Sequence, residues 1–227
     1  MIKEQMVTIL SNGQFLTAWI VVAVLCLAIL VYDFRNNNSH IDSLMQLVWY
    51  LTVAYSGPIG LALFYLTGRK QIRRDSIWRK GVRSVAHCYS GCGAGEITGI
   101  FIAAGLLALS NTAIAISTFI LAYIFGYGLT FGPLVQAGMP VKKALIDTFY
   151  SDTLTIAVME VTAISIDLWL SANSTMHEPL FWGSLIFSLS IGLLAAYPVN
   201  VLLVYLGVKG GMGDPRDTHS PGHSHAH

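Results

Sequence analysis

Along the chain, long apolar runs are separated by short polar breaks. The runs lie near 15–32, 44–67, 86–109, 112–135, 144–170 and 180–207, each close to the roughly 20 residues that an α-helix needs to cross a bilayer. The pattern predicts an all-α, polytopic membrane bundle of six transmembrane helices. Residues 1–14 read as an amphipathic lead-in, with Ser11 and Asn12 placed to cap the first span. Residues 15–83 follow as a two-helix hairpin with a basic loop, residues 84–207 as a four-helix membrane domain, and residues 208–227 as a disordered His-rich tail.

Composition supports the membrane assignment and adds an orientation. Hydrophobic residues make up 54% of the 227 and charged residues 11%, against about a quarter charged in soluble domains. The six runs leave no room for a separate soluble domain. With six crossings, Lys3, the cluster from Arg69 to Arg83, Lys142, Lys143, Lys209 and Arg216 fall on one side and Arg35 alone on the other. The positive-inside rule then puts both termini in the cytoplasm. The first run is too long for a cleaved secretory signal, and three cysteines, two of them near the cytoplasmic side, argue against a disulfide framework. No G-x-x-x-x-G-K-[ST] loop is present, so the chain brings no nucleotide chemistry of its own.

Polar residues inside the runs change the picture from scaffold to site. In "HCYSGCGAGE" (87–96), Cys88, Cys92 and Glu96 recur at i, i+4 and i+8 and form one stripe of a helix. Gly91, Gly95 and Gly99 form a second stripe beside it, suited to close helix packing or gating. Small residues at Thr118, Ala122 and Gly126, and at Ser184, Ser188, Gly192 and Ala196, offer matching surfaces. The fifth run adds Asp152, Met159 and Glu160, and the sixth adds Asn200 beside Pro198, a second gating candidate. Counted inward from the basic loops, these side chains converge on one volume. An acid at the middle of a span costs about 2.5–3.5 kcal/mol, so Glu96, Asp152 and Glu160, with Asn200, are expected to serve a proton or ion path.

Two thiols near an imidazole and a thioether suit a soft cation. His87, Cys88, Cys92 and Met159 are therefore candidate ligands for Cu(I) or Zn(II). His219, His223, His225 and His227 are candidates for a metal-capturing tail, with a solubilising end as the alternative. The leading expectation is binding or transport of a transition-metal cation. One alternative is a membrane thiol-disulfide oxidoreductase using Cys88 and Cys92, which needs the helix to unwind at Gly91 and Gly93. Another is a non-catalytic membrane subunit. The expected partners are the lipid bilayer and a metal ion, with homo-oligomer assembly an open option and nucleic acid excluded.

The segments "HCYSGCGAGE", "FGYGLTFGPL", "SDTLTIAVMEV", "FWGSL" and "AAYPVN" resemble a bacterial polytopic membrane family of unknown function. That family is marked by a His-Cys-x3-Cys motif and a Pro-Val-Asn motif. The resemblance covers about residues 84–207 and implies an inner-membrane location. It marks His87, Cys88, Cys92 and the triplet Pro198, Val199 and Asn200. Many members carry His-rich segments, and some are loosely labelled copper oxidases. That label implies no demonstrated activity, and blue-copper chemistry wants several His ligands that this chain does not gather.

Overall fold

The computed structural model describes residues 1–136, 138–171, 174–210 and 212–217. Among these the regular elements are all helical: α1 (Ile2–Leu10), α2 (Gly13–Asn36), α3 (Ser43–Ser56), α4 (Pro58–Thr67), α5 (Ile77–Ile100), α6 (Asn111–Gln136), α7 (Val141–Ser171) and α8 (Pro179–Tyr205). Helix α5 continues into a π-helical segment, Phe101–Leu106. Asn12 caps α2 as expected, its side-chain oxygen accepting from the backbone N–H groups of Gln14 and Phe15.

Four described helices are both long and apolar enough to cross a membrane: α2, α6 over Asn111–Gly132, α7 and α8. Helix α5 has the length but not the apolarity. The reason is its position: α3, α6, α7 and α8 all pack on it, and every residue from Gly81 to Gly93 is buried. A helix shielded by protein on all sides has no need of an apolar exterior.

The expected second span, 44–67, does not run straight. It folds back at Gly57, whose φ of 53° ends α3, while Pro58 takes the first position of α4, where its missing N–H costs nothing. Past the turn the chain retraces itself. An added Cβ on Gly60 would sit 2.8 Å from the Thr52 carbonyl oxygen, and the rings of Trp49 and Phe64 meet at 5.3 Å. The apex rests on Trp19 and Ala23 of α2, about halfway along that helix. With 14 and 10 residues, the two arms reach only about 21 and 15 Å, short of a ~30 Å hydrocarbon core.

This fold-back reassigns the ends of the bundle. Asp33, near the end of α2, accepts from Arg69 just past α4 at 2.7 Å, and Asn38 accepts from the Lys70 backbone N–H at 2.9 Å. The 33–42 loop therefore lies beside the basic segment, not opposite it. At the other end, Leu10 abuts Gly183 at the start of α8, and Lys3 lies over the Trp169 ring at 5.7 Å. Residue 1 and residue 217 thus lie at opposite ends of the helix bundle, where the sequence reading expects both termini on one side. The end carrying Arg69, Arg83 and Lys209 is the basic end, and the end carrying Lys3, Trp169 and Gly183 is the far end.

The glycine stripe of α5 packs on α6. Added Cβ atoms would come within 2.8 Å of the Gly126 Cα from Gly91 and of the Thr118 Cα from Gly99, and would press on the Leu121 carbonyl oxygen from Gly95. The small stripe of α8 packs on α7 instead, with Gly192 against the Met159 backbone. Pro198 lies within α8 without ending it.

Candidate functional site

The polar residues of α5, α7 and α8 meet along one internal column, and its inner layer is a cage around an ammonium group. Gly207 explains how a residue outside every span reaches it. Its φ of 73° turns the chain at the end of α8, and Val208 and Gly207 donate back to the carbonyls of Leu203 and Val204, the bond pair of a Schellman cap. The reversal turns Lys209 back into the bundle. Its Nζ lies 2.8 Å from Asp152 Oδ1, 3.0 Å from Asn200 Oδ1, 3.2 Å from Cys88 Sγ and 3.4 Å from Thr155 Oγ1. Ser84 donates to the same Asn200 oxygen at 2.8 Å. The Lys209 side chain is only 8% exposed. Burial opposes its charge, but Cys88 and Asp152 outweigh that, and the ammonium is held above its usual pKa.

His87 is buried next to this cage, near the Leu129 backbone, and neither ring nitrogen completes a hydrogen bond of ordinary distance and angle. One turn deeper, Cys92, Met159 and Ile156 pack in the same buried cluster as Cys88. Glu160 lies beside the Cys92 thiol, which faces its carboxylate, and neither carboxylate oxygen completes a hydrogen bond of ordinary distance and angle. Glu96 follows on α5, its Oε2 likewise unpartnered. Asp167 ends the column, its Oδ1 accepting from Ser184 at 2.7 Å and from Ser171 at 3.1 Å.

Glu96 and Asp167 line a cavity of about 940 Å³ at the far end, walled also by Phe101, Phe181, Ser171 and His177. Asp152, Glu160 and Asp167 span about 22 Å along α7 and fall within about 80° of one face. Among the described residues, the recorded ion pairs give Asp152 a basic partner and give none to Glu160, Glu96 or Asp167.

The structure thus divides the expected ligands. Cys88, Asp152 and Asn200 share the inner cage, while Cys92, Met159, Glu160 and Glu96 occupy deeper levels. Among the described residues, no group of three His, Cys, Asp or Glu side chains is placed to hold a metal ion. All three cysteines are free, and α5 remains a regular helix through Gly91 and Gly93, so the thiol-exchange alternative gains no geometry in its favour. The four tail histidines lie outside the described residues. Sequence reasoning missed Lys209, which it counted only as a positive charge. The available signal was Gly207 two residues before it, a helix-ending glycine that returns the chain on itself.

The inner cage lies within a recognisable unit. Residues 77–209, more than half of the chain, match the family described as "Domain of unknown function (DUF4396)", and the chain belongs to that family. The matched stretch starts on the first residue of α5 and ends on Lys209. No curated protein and no solved structure matches the chain.

Proposed function

We propose that the protein is a multi-pass membrane carrier that moves a cation between the far cavity and the basic end, with protons exchanged on the acids of the column. In this reading α2, α5 with its π-helical extension, α6, α7 and α8 cross the membrane, and α3–α4 is a re-entrant hairpin. The positive-inside rule puts the basic end in the cytoplasm of a bacterial inner membrane.

The observation that carries the proposal is the acid column itself. An ionised carboxylate buried without a partner costs far more than a lost hydrogen bond, so Glu160 and Glu96 each call for a proton or a cation. Such groups, stacked from a lipid-shielded interior to an open cavity, fit an ion path. Donor chemistry favours a soft transition-metal ion as cargo, Cu(I) or Zn(II), with Cys88 in the inner cage, Cys92 and Met159 one turn deeper and His87 at the mouth. The close contacts of Gly91, Gly95 and Gly99 and the proline inside α8 at Pro198 supply places that can shift during a cycle.

The test is purified protein in liposomes, with a Zn²⁺-sensitive dye inside and a pH gradient across the membrane. Wild type is expected to take up Zn²⁺ with matching proton release, and Glu160→Gln to lose the coupling. The joint replacement Cys88→Ser with Cys92→Ser is expected to lose metal retained through purification. A wild-type protein that moves neither Zn²⁺, Cu(I) nor protons overturns the proposal.

A further inference from the structure

The inner cage already holds a cation, and the chain itself supplies it. Three helices contribute the donors: Cys88 from α5, Asp152 and Thr155 from α7, and Asn200 from α8. A carboxylate, an amide oxygen, a hydroxyl and a thiol around one positive centre are the donors that a cation stripped of water requires. A salt bridge made only for stability needs no thiol and gains little from burial, because desolvation offsets most of the attraction.

The segment that delivers the lysine is lightly attached. After the turn at Gly207, the described residues 208–210 and 212–217 lie at the basic end. Outside the cage, the described residues of this segment bond to other parts of the chain through the Val208 and Lys209 backbone N–H groups to the Leu203 carbonyl at 2.9 and 3.2 Å, through His40 Nε2 to the Pro215 carbonyl at 2.8 Å, and from Arg216 to the Arg73 carbonyl at 3.5 Å. Arg216 otherwise folds onto Asp214 within the same segment, and it is chiefly this hydrogen bond that holds the Asp214 carboxyl below its usual range. Withdrawing Lys209 therefore means giving up its buried pair with Asp152, the cap bonds to Leu203 and the contacts with His40 and Arg73, while the body of α8 need not unwind.

We propose that Lys209 is a tethered cation that occupies the inner cargo position and closes the basic end, so that a cargo cation binds there only when the lysine withdraws. This rests on the carrier reading for its purpose. Its direct consequence concerns Cys88: the thiol is covered while the lysine is in place and open when it is gone. The same exchange sets specificity, since a cargo must outcompete an ammonium tethered beside the site by its own chain, which favours a thiol-seeking metal ion over Na⁺ or K⁺.

The experiment measures alkylation of Cys88 by a membrane-impermeant, positively charged methanethiosulfonate in inside-out vesicles, with Cys26 and Cys92 replaced by Ser. Lys209→Met is expected to raise the rate by about tenfold or more, and Lys209→Arg to keep it near wild type. Zn²⁺ is expected to protect Cys88 in Lys209→Met at concentrations that leave the wild-type rate unchanged. The double variant Lys209→Met with Asp152→Asn removes both charges, avoids a stranded carboxylate, and is expected to expose the thiol equally. Equal rates in wild type and both methionine variants overturn the plug, as does a Cys88 that Zn²⁺ fails to protect in Lys209→Met. The two readings fail separately: absence of Zn²⁺ and proton flux in liposomes overturns the carrier, and unchanged alkylation overturns the plug.

Discussion

At the cage, removing the Asp152 carboxylate would leave the Lys209 ammonium facing a thiol, an amide and a hydroxyl. Breaking a buried pair on one side strands a charge and costs about 3–5 kcal/mol, whereas replacing both partners is often neutral. Asp152→Asn is therefore expected to lower thermal stability in detergent markedly, and Asp152→Asn with Lys209→Met to recover most of the loss. Additive losses in the double variant would mean that the two side chains are not coupled. Much of this layer was legible in the sequence, because Cys88, Asp152 and Asn200 each sit in a span where a polar residue stands out and helical spacing assigns it a face. Lys209 was not legible in the same way. It follows α8, belongs to no periodic run, and acquires its direction from the backbone at Gly207, a conformation that hydropathy does not record.

The helix pairs test the packing argument. An added methyl on Gly95 would press on the Leu121 carbonyl and the Ala122 Cα, whereas one on Gly128 meets nothing within 4 Å. Backbone cannot rotate away as a side chain can, so Gly95→Ala is expected to push α5 from α6 at a cost of about 1–3 kcal/mol, with Gly128→Ala nearly silent. Unfolding of the two variants in detergent, compared with wild type, makes the measurement. The glycine stripe was readable as a close-packing face, but its partner was not: α6 and α8 both offer small residues at fourfold spacing, and α8 spends its own on α7. The hairpin was hidden for another reason. Residues 44–67 have the length of a span, and Gly57-Pro58 reads equally well as a kink. A positive φ at Gly57 makes it a reversal, and only then do Trp49 and Phe64 become neighbours.

Folding 44–67 back on itself changes the parity of the whole chain. Six crossings put residues 1 and 217 on one side, and five put them on opposite sides. Charge could not decide between these, because each reading leaves a single one of the 13 Lys and Arg residues across the membrane from the rest: Arg35 with six crossings, Lys3 with five. The positive-inside rule is satisfied equally by both. Under the proposed reading of five crossings, the Asp33–Arg69 pair at 2.7 Å keeps the 33–42 loop beside the basic segment. The corresponding measurement labels single cysteines with an impermeant maleimide on intact cells, in a background without the native three. Lys3→Cys is expected to react from outside, and Arg35→Cys and Asp217→Cys only after permeabilisation. Position 35 is decisive: reaction there without permeabilisation would require α3 and α4 to cross as one helix, and the Asp33–Arg69 pair to come apart. The far cavity is walled by Phe101, Asp167 and His177, at the ends of α5 to α8 away from Lys209, so the direction of the acid column is set by these helices and not by the hairpin.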